Sequence, residues 1–533
     1  MQVRQKPTPH KLLFRPTDLY IFLLALFWII SYYFSGSSQG HIGFTFLVAS
    51  IAYYVCFRSF KDVDKTDSFR CLAFIIPGVL QSLFVFAQYF DLVNSFGTFE
   101  LSGTFINPGP LGIYLGICLL PSLYQTIKTS HPNIRNILFI CSGVISLALL
   151  SSFSRTAYIA LLFSFPFVFW PWEKLRKFLL PGIAMLLLAG ATLWMLKPDS
   201  AQGRIYHYWI SIQALTENPL TGSGAGQFAR VYNDYQRQFF YDQPDSRFAS
   251  LADDHGISFN AFLQIGIEYG MIGLVLVLGA VFTVFQNNAG KSLLPSRRLH
   301  VAMLSFILLA GMSSYTFSIP VIWLSFLWAL TILSEDQRVI FRIPLSASLL
   351  WLFSGLAIVV FLLLLFLGGR QLTNAKAWEQ NTESINDQNR TENLTLYEGW
   401  YSHLKAYPSF LYNYAFELSE ARELEKSNLL LMQANKAGLN NMDLHLRLGY
   451  NYYQMGLYDR ALIHFQYARH LTPVRLSPRY WLVKTFEAQG KKDMATSEAR
   501  DLLNLEVKVS SFKADYIRNE IRKYLIESGS VLK

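Results

Sequence analysis

Charge is scarce in this sequence. Of 533 residues, 15% are Asp, Glu, Lys or Arg, against 52% hydrophobic and 16% aromatic. Soluble domains carry about 25% charge, so this chain is not a soluble enzyme. A mean hydropathy of +0.26 fits many membrane spans diluted by one polar part. Cysteine is scarcer still. Cys56, Cys71, Cys118 and Cys141 lie in or beside apolar stretches, and none forms a C-x-x-C pair. That argues against a disulfide framework or a thiolate zinc site. No small-residue cleavage pattern follows the first apolar run, so the run is expected to stay as an anchor and not to act as a cleaved leader. The formal charge of +10 is accounted for by basic cytoplasmic loops and gives no reason to invoke nucleic acid.

What is present is a series of apolar runs. A spanning helix needs about 20 mostly apolar residues, and about eleven runs qualify. They are 18–34, 41–57, 72–91, 109–127, 136–151, 156–172, 178–196, 260–285, 299–315, 318–334 and 344–367. Basic residues fall in alternate loops, as the positive-inside rule requires. Arg4, Lys6, Lys11 and Arg15 precede the first span; Arg58, Lys61, Lys65 and Arg70 follow the second. Lys174, Arg176 and Lys177 follow the sixth, Lys291, Arg297 and Arg298 the eighth, and Arg338 and Arg342 the tenth. The opposite loops 35–40 and 92–108 hold no Lys or Arg, and the turn 152–155 holds only Arg155. This register puts the N-terminus in the cytoplasm. It puts residues 198–259 and everything after 368 outside. The loop 198–259 shows no obvious helix of its own, yet its many aromatics argue against disorder.

The expected organisation is a transmembrane domain over 1–367, including that outer loop, and a second helical domain over 368–533. The tail is polar, with few Gly or Pro. A 34-residue tetratricopeptide pattern fits from Met442, with Leu448-Gly449, Tyr452, Gly456, Tyr458, Ala461, Phe465, Ala468 and Pro473 at its offsets. A second copy carries Leu482, Phe486, Gly490, Ala495, Ala499 and Leu502, and a degenerate copy precedes with Tyr414, Ala415, Leu418, Leu431 and Ala434. Stacked repeats over about 408–509 would form an α-solenoid with a concave face for a protein partner.

Four segments carry the chemistry. Ser102-Gly103-Thr104-Phe105-Ile106-Asn107-Pro108 precedes the fourth span, and Ser154-Arg155-Thr156-Ala157 opens the sixth. Gly203-Arg204 leads to Trp209 and then to Asn218-Pro219-Leu220-Thr221-Gly222-Ser223-Gly224-Ala225-Gly226. Phe259-Asn260 runs into Glu268-Tyr269-Gly270-Met271-Ile272-Gly273. In this order and spacing, over roughly 100–335, the set resembles the superfamily of O-antigen ligases, O-antigen polymerases and O-linked oligosaccharyltransferases. The fused repeat tail is similar to members from the Bacteroidetes. The resemblance implies an all-α, polytopic bundle of the GT-C-like ligase fold in a bacterial inner membrane, with its tail in the periplasm. It implies a transferase that needs no metal or other cofactor. The donor would be a glycan on undecaprenyl diphosphate, and the acceptor a hydroxyl of a glycan, a lipid A core or a protein.

A departing diphosphate needs cations, and arginine suits phosphate geometry. Arg155 and Arg204 are the candidates, because the outer segments hold no metal motif such as D-x-D. A snorkelling role for Arg155 and a loop ion pair for Arg204 stay open. Arg230, Arg237 and Arg247 read as solvated loop charges, and Gly222, Gly224 and Gly226 as turn residues. In the family the position of Phe259 is typically a histidine, the presumed base. Here His255 lies four residues earlier, in Ala252-Asp253-Asp254-His255-Gly256. His255 or an aspartate, Asp254 among them, could serve instead; a plain ion pair between them is the alternative. Asn260 and Glu268 would organise the site. Glu268, inside a span, needs a partner, and an arginine such as Arg204 would supply one. A transporter or flippase of lipid-linked sugars remains a second class, although no internal repeat relates the membrane halves.

Overall fold

A computed structural model describes residues 11–35, 47–55, 63–95, 99–169, 198–288, 294–344, 390–506 and 511–529, with a few positions at 177–182 and 352–378. The chain is mostly helical there. In the first part lie α1 (Pro16–Ser35), α2 (Val63–Tyr89), α3 (Pro108–Lys128), α4 (Pro132–Ser151) and α5 (Arg155–Ser164). After them come α6 (Pro198–Ala214), α7 (Phe228–Asp242), α8 (Ala261–Asn288), α9 (Pro295–Gly311) and α10 (Pro320–Leu333). Among the described residues four helices are long and apolar enough to cross a membrane: Ser68–Tyr89, Pro108–Lys128, Pro132–Ser151 and Ala261–Asn288. Pro16–Tyr32, Arg155–Val168 and Pro320–Leu333 are shorter apolar helices. Most of the expected spans 178–196 and 344–367, and much of 41–57, lies outside the described residues.

The bundle is built around α3. Asn107 accepts a hydrogen bond from the Gly109 N–H at 2.8 Å, and Pro108 supplies a preset first turn. Leu111, Ile113, Leu115, Ile117, Cys118 and Leu120 of α3 are fully buried. Small residues let its neighbours approach: a Cβ on Gly112 would meet Ser152 Oγ at 2.7 Å. Leu80 of α2 and Phe139, Ile140 and Leu147 of α4 are exposed instead. Such an apolar outer surface suits lipid and would be a liability in water.

Two features differ from the expectation. A small antiparallel sheet pairs β1 (Lys11–Phe14) with β2 (Phe341–Pro344), in the register Lys11↔Pro344. The rings of Phe14 and Phe341 stack at 4.4 Å and give the ribbon an apolar seam. Both strands come from basic segments expected on the same side of the membrane. The loop 198–259, in turn, does have helices of its own, α6 and α7. An apolar stripe of period 3.6 runs along α7 and was passed over among the loop's prolines and glycines. Val231, Tyr232, Phe239 and Phe240 pack with Tyr206 and Ile210 of α6, while Asn233 and Gln236 are equally buried on another face.

That polar face meets the tail. The tail comprises α11 (Arg390–Leu404), α12 (Pro408–Glu420), α13 (Leu424–Lys436), α14 (Met442–Gln454), α15 (Tyr458–Leu471), α16 (Leu476–Ala488), α17 (Lys492–Asn504) and α18 (Phe512–Glu527). From α12 to α17 they pack as helical hairpins. The first helix of each hairpin closes on a left-handed residue, Arg422, Gly456 or Gly490, with φ of 67°, 75° and 74°, at intervals of 34 residues (456 − 422 and 490 − 456). Gly449 of α14 lets the ring of Phe465 in α15 lie against the helix backbone.

Helix α7 is stitched to this tail through side chains that satisfy buried backbone groups. Asn233 donates to the Asn440 carbonyl, and Gln236 donates to the Leu471 carbonyl at 2.9 Å. Asn440 donates back to the Arg230 carbonyl at 3.2 Å and lies against Tyr467, which donates to Asp234. Arg237 sits over the Tyr467 ring at 5.1 Å. Asn440→Ala strands these buried groups. It is expected to cost about 1–3 kcal/mol and to speed limited proteolysis between α7 and the tail, measured on the purified full chain.

Candidate active site

The four sequence segments meet in space, and hydrogen bonds show how. Gln88 of α2 holds the first: its Oε1 accepts from Gly103 N at 2.8 Å and its Nε2 donates to the Gly103 carbonyl at 3.0 Å. Ser154 Oγ then donates to the Gly109 carbonyl at 3.2 Å, tying the second segment to the first. The second and fourth converge on the turn between α9 and α10. Thr156 pairs with Ser313 at 3.1 Å, Asn260 Nδ2 donates to the Met312 carbonyl at 3.1 Å, and the Ala261 N–H donates to Ser314 O at 3.1 Å. Tyr208, one helical turn after Arg204, donates to the same Met312 carbonyl at 3.0 Å.

The third and fourth segments form one unit. Gly270 breaks α8 with φ 63° and ψ −169°, a conformation open only to glycine. The amides freed by the break are satisfied by the loop: Met271 N–H donates to Pro219 O at 2.8 Å and Ile272 N–H to Leu220 O at 3.1 Å. In return Ser223 and Gly224 donate to the carbonyls of Ile267 and Glu268, each at 2.9 Å. Gly222, Gly224 and Gly226 all have positive φ, which makes them turn residues as expected. At Gly222 the reason is contact: a Cβ there would collide with the backbone of Glu268.

Glu268 does not pair with Arg204. Its carboxylate is buried. It accepts from Gln264 Nε2 at 3.2 Å and from the backbone N–H groups of Gly226 and Phe228. Phe228 opens α7, so the carboxylate lies at the positive end of that helix, where backbone amides replace a counter-cation. Asn260 is the N-cap of α8, its Oδ1 accepting from Phe262 N at 2.9 Å and Leu263 N at 3.1 Å. Both residues bond to backbone groups at helix starts.

Arg155 opens α5 and Arg204 lies on α6; both are exposed. Among the described residues neither guanidinium pairs with a carboxylate. Arg230, by contrast, faces Glu217 at 3.8 Å, and Arg247 covers the Phe248 ring at 4.9 Å.

Around Phe259 there are two imidazoles, one of which sequence reasoning passed over. His207 of α6 is buried, with its ring 4.7 Å from that of His255 and 5.4 Å from that of Phe259. Its Nε2 accepts from the Phe259 N–H at 3.4 Å, which assigns the proton to Nδ1. Burial pushes His207 down to about 3, with the His255 ring as second cause. Burial also lowers His255, with Asp253 opposing. Both rings are therefore neutral at pH 7. The only signal for His207 in the sequence is its place one turn after Arg204.

Asp254 sits elsewhere. Both of its carboxylate oxygens accept from the Met442 N–H, at 3.2 and 3.1 Å, at the start of α14, and burial raises it to about 7. Asp253 pairs with Arg475 at 3.2 Å. The loop that carries His255 is thus fastened to the tail at both Asp253 and Asp254. Among the described residues no group of three or more His, Cys, Asp or Glu side chains could hold a metal ion.

Residues 138–278 match a family model described as O-antigen ligase. The match supports the O-antigen ligase superfamily. It runs from α4 into α8 and includes Arg155, Arg204, His255, Asn260 and Glu268. No curated protein matches the chain. Together with the apolar helices, the match supports a membrane protein with glycosyl-transfer chemistry as its general class.

Two outcomes follow from the geometry. Gly270→Ala puts an L-residue where only glycine fits and is expected to cost about 1–3 kcal/mol, read as a lower melting temperature with loss of activity. The histidines set the pH response. Burial lowers His207, His255, His445, His464 and His470 below 6.5. The unfolded chain then binds more protons on acidification, so stability present above pH 6.5 is lost as pH falls toward about 4. Asp254, raised from 3.8 to about 7, has the opposite sign: its contribution is full below 3.8 and lost as pH rises through 7. The melting temperature is expected to fall between pH 6.5 and 4.5, and to fall more steeply in Asp254→Asn.

Proposed function

We propose that this chain is an integral-membrane glycosyltransferase of the O-antigen ligase type. It moves a glycan from undecaprenyl diphosphate to an acceptor hydroxyl on the periplasmic face of the inner membrane. The observation that carries this reading is the pair of exposed, carboxylate-free arginines, Arg155 and Arg204, on elements that share the turn after α9 with Asn260.

In the reaction the acceptor hydroxyl loses its proton to the neutral imidazole of His255, and its oxygen bonds to the anomeric carbon of the donor. The bond from that carbon to the phosphate oxygen breaks, and the lipid diphosphate leaves with the electron pair. Arg155 and Arg204 take up the negative charge as it grows, without a metal ion. His207 holds the Phe259 amide and the His255 ring in place. Asp254, engaged with the α14 amide, fixes the loop that bears the base. Asn260 and Glu268 hold α8 and α7 in position around the site. The tail, read as a solenoid of tetratricopeptide repeats, stands in the periplasm as the contact for a protein partner.

The test is glycan transfer in proteoliposomes loaded with the host's lipid-linked glycan. Arg155→Ala and Arg204→Ala are each expected to slow transfer by about a hundredfold or more while the protein stays folded, and His255→Ala to slow it comparably. Full transfer in both arginine variants would refute the assignment. Movement of the intact lipid-linked sugar across the bilayer without transfer would establish a flippase.

A further inference from the structure

The tail carries a groove that the site does not use. Its volume is about 440 Å³, within the range of small-ligand sites. It is lined by α12, α14, α16 and α18, whereas α7 docks on α15 and on the turn before α14. The described part of the chain therefore leaves it open.

Its lining is largely aromatic. Trp481 is the centre, with Tyr450 at 5.2 Å and Tyr480 at 5.5 Å, each nearly perpendicular to the indole. Tyr412, Phe416 and Tyr516 extend this surface, and only Leu446 and Ile517 are aliphatic. An amphipathic helix seated in a groove needs a continuous hydrophobic trough, and here Glu420, Asp443, Arg447 and Lys513 interrupt it. The charges of the lining cancel: Glu420 and Asp443 against Arg447 and Lys513. Arg447 is already committed, bonded to Glu420 at 2.6 Å and lying over the Phe416 ring at 3.8 Å. The groove thus has no spare buried cation for an anionic ligand. It offers flat ring faces, tyrosine and serine hydroxyls, and the carboxylate of Asp443.

We propose that this groove binds a neutral oligosaccharide, a segment of the glycan that the membrane site transfers. The apolar faces of pyranose rings stack on Trp481 and the tyrosines, and sugar hydroxyls donate to Asp443 and exchange hydrogen bonds with Tyr412 and Ser477. Aromatic rings supply such contact area at low entropic cost. Proline-rich peptides also use aromatic grooves; the choice of glycan over peptide rests on the transferase reading. Binding would hold the polymer beside α7 and raise its local concentration at the site.

The experiment is binding to the full-length protein in detergent, read by tryptophan fluorescence and saturation-transfer NMR. The probes are the oligosaccharide freed by mild acid from the host's lipid-linked pool, chitohexaose, and a decaproline peptide. Saturable sugar binding is expected, weakened about fivefold in Tyr516→Ala, the scale of one aromatic contact. Tyr516 is 53% exposed, so this change spares the fold. Asp443→Asn is expected to weaken it as well, and Trp481→Ala to abolish it. Binding of decaproline alone, no binding of either sugar, or sugar binding unchanged in Tyr516→Ala and Asp443→Asn would overturn the proposal. Transfer without sugar binding would sink the groove and leave the transferase standing. Binding without transfer would do the reverse.

Discussion

One buried carboxylate ties the molecule together. Glu268 sits inside a membrane helix, where an unpaired charge is expensive. It is made tolerable by the amides of Gly226 and Phe228 and by Gln264. Those amides exist in place only because three glycines turn the loop and because Gly270 opens α8 to receive it. The start of α7 is thereby pinned to the bundle. The rest of α7 reaches the tail through Asn233, Gln236 and Asp234. Bundle and tail are therefore joined through α7, anchored at one end by a buried carboxyl group, and through the loop at Asp253 and Asp254.

That linkage gives the site its character. The arginines lie at exposed helix positions, free of carboxylate partners among the described residues, and three acidic groups of the same segments are engaged elsewhere. Glu268 is used on backbone amides, Asp254 on Met442 and Asp253 on Arg475. In the proposed reaction a diphosphate would meet uncompensated guanidinium groups, while the two imidazoles beside Phe259 stay neutral through burial. The proposed cation and base would thus be kept apart in environment, as an acceptor hydroxyl and a charged leaving group require.

Much of this was legible in the residues. Apolar runs marked the long helices, since lipid imposes length and composition directly. Gly222, Gly224 and Gly226 read as turn residues, and all three have positive φ. The 34-residue spacing of Tyr414, Leu448-Gly449 and Leu482 predicted hairpins whose turns recur at Arg422, Gly456 and Gly490. The amphipathic pattern of α7 was legible too, although the helicity of 198–259 was passed over among its prolines and glycines. Three things were not legible, all for one reason: they depend on long-range pairing. The partner of Glu268 is a set of backbone amides, and these leave no mark in side-chain identity. His207 matters through a contact with Phe259, 52 residues on. The pairing of Lys11–Phe14 with Phe341–Pro344 spans nearly the whole membrane part in the same way.

The central claim is that the outer-face arginines serve a group transfer from a lipid diphosphate. The most direct measurement is stoichiometric: undecaprenyl diphosphate released per glycosidic bond formed, in proteoliposomes with EDTA present and no nucleotide. One lipid diphosphate per transferred glycan, unchanged by EDTA, is the predicted result. Bond formation without release of the lipid diphosphate, or release that needs a divalent metal, would contradict the account.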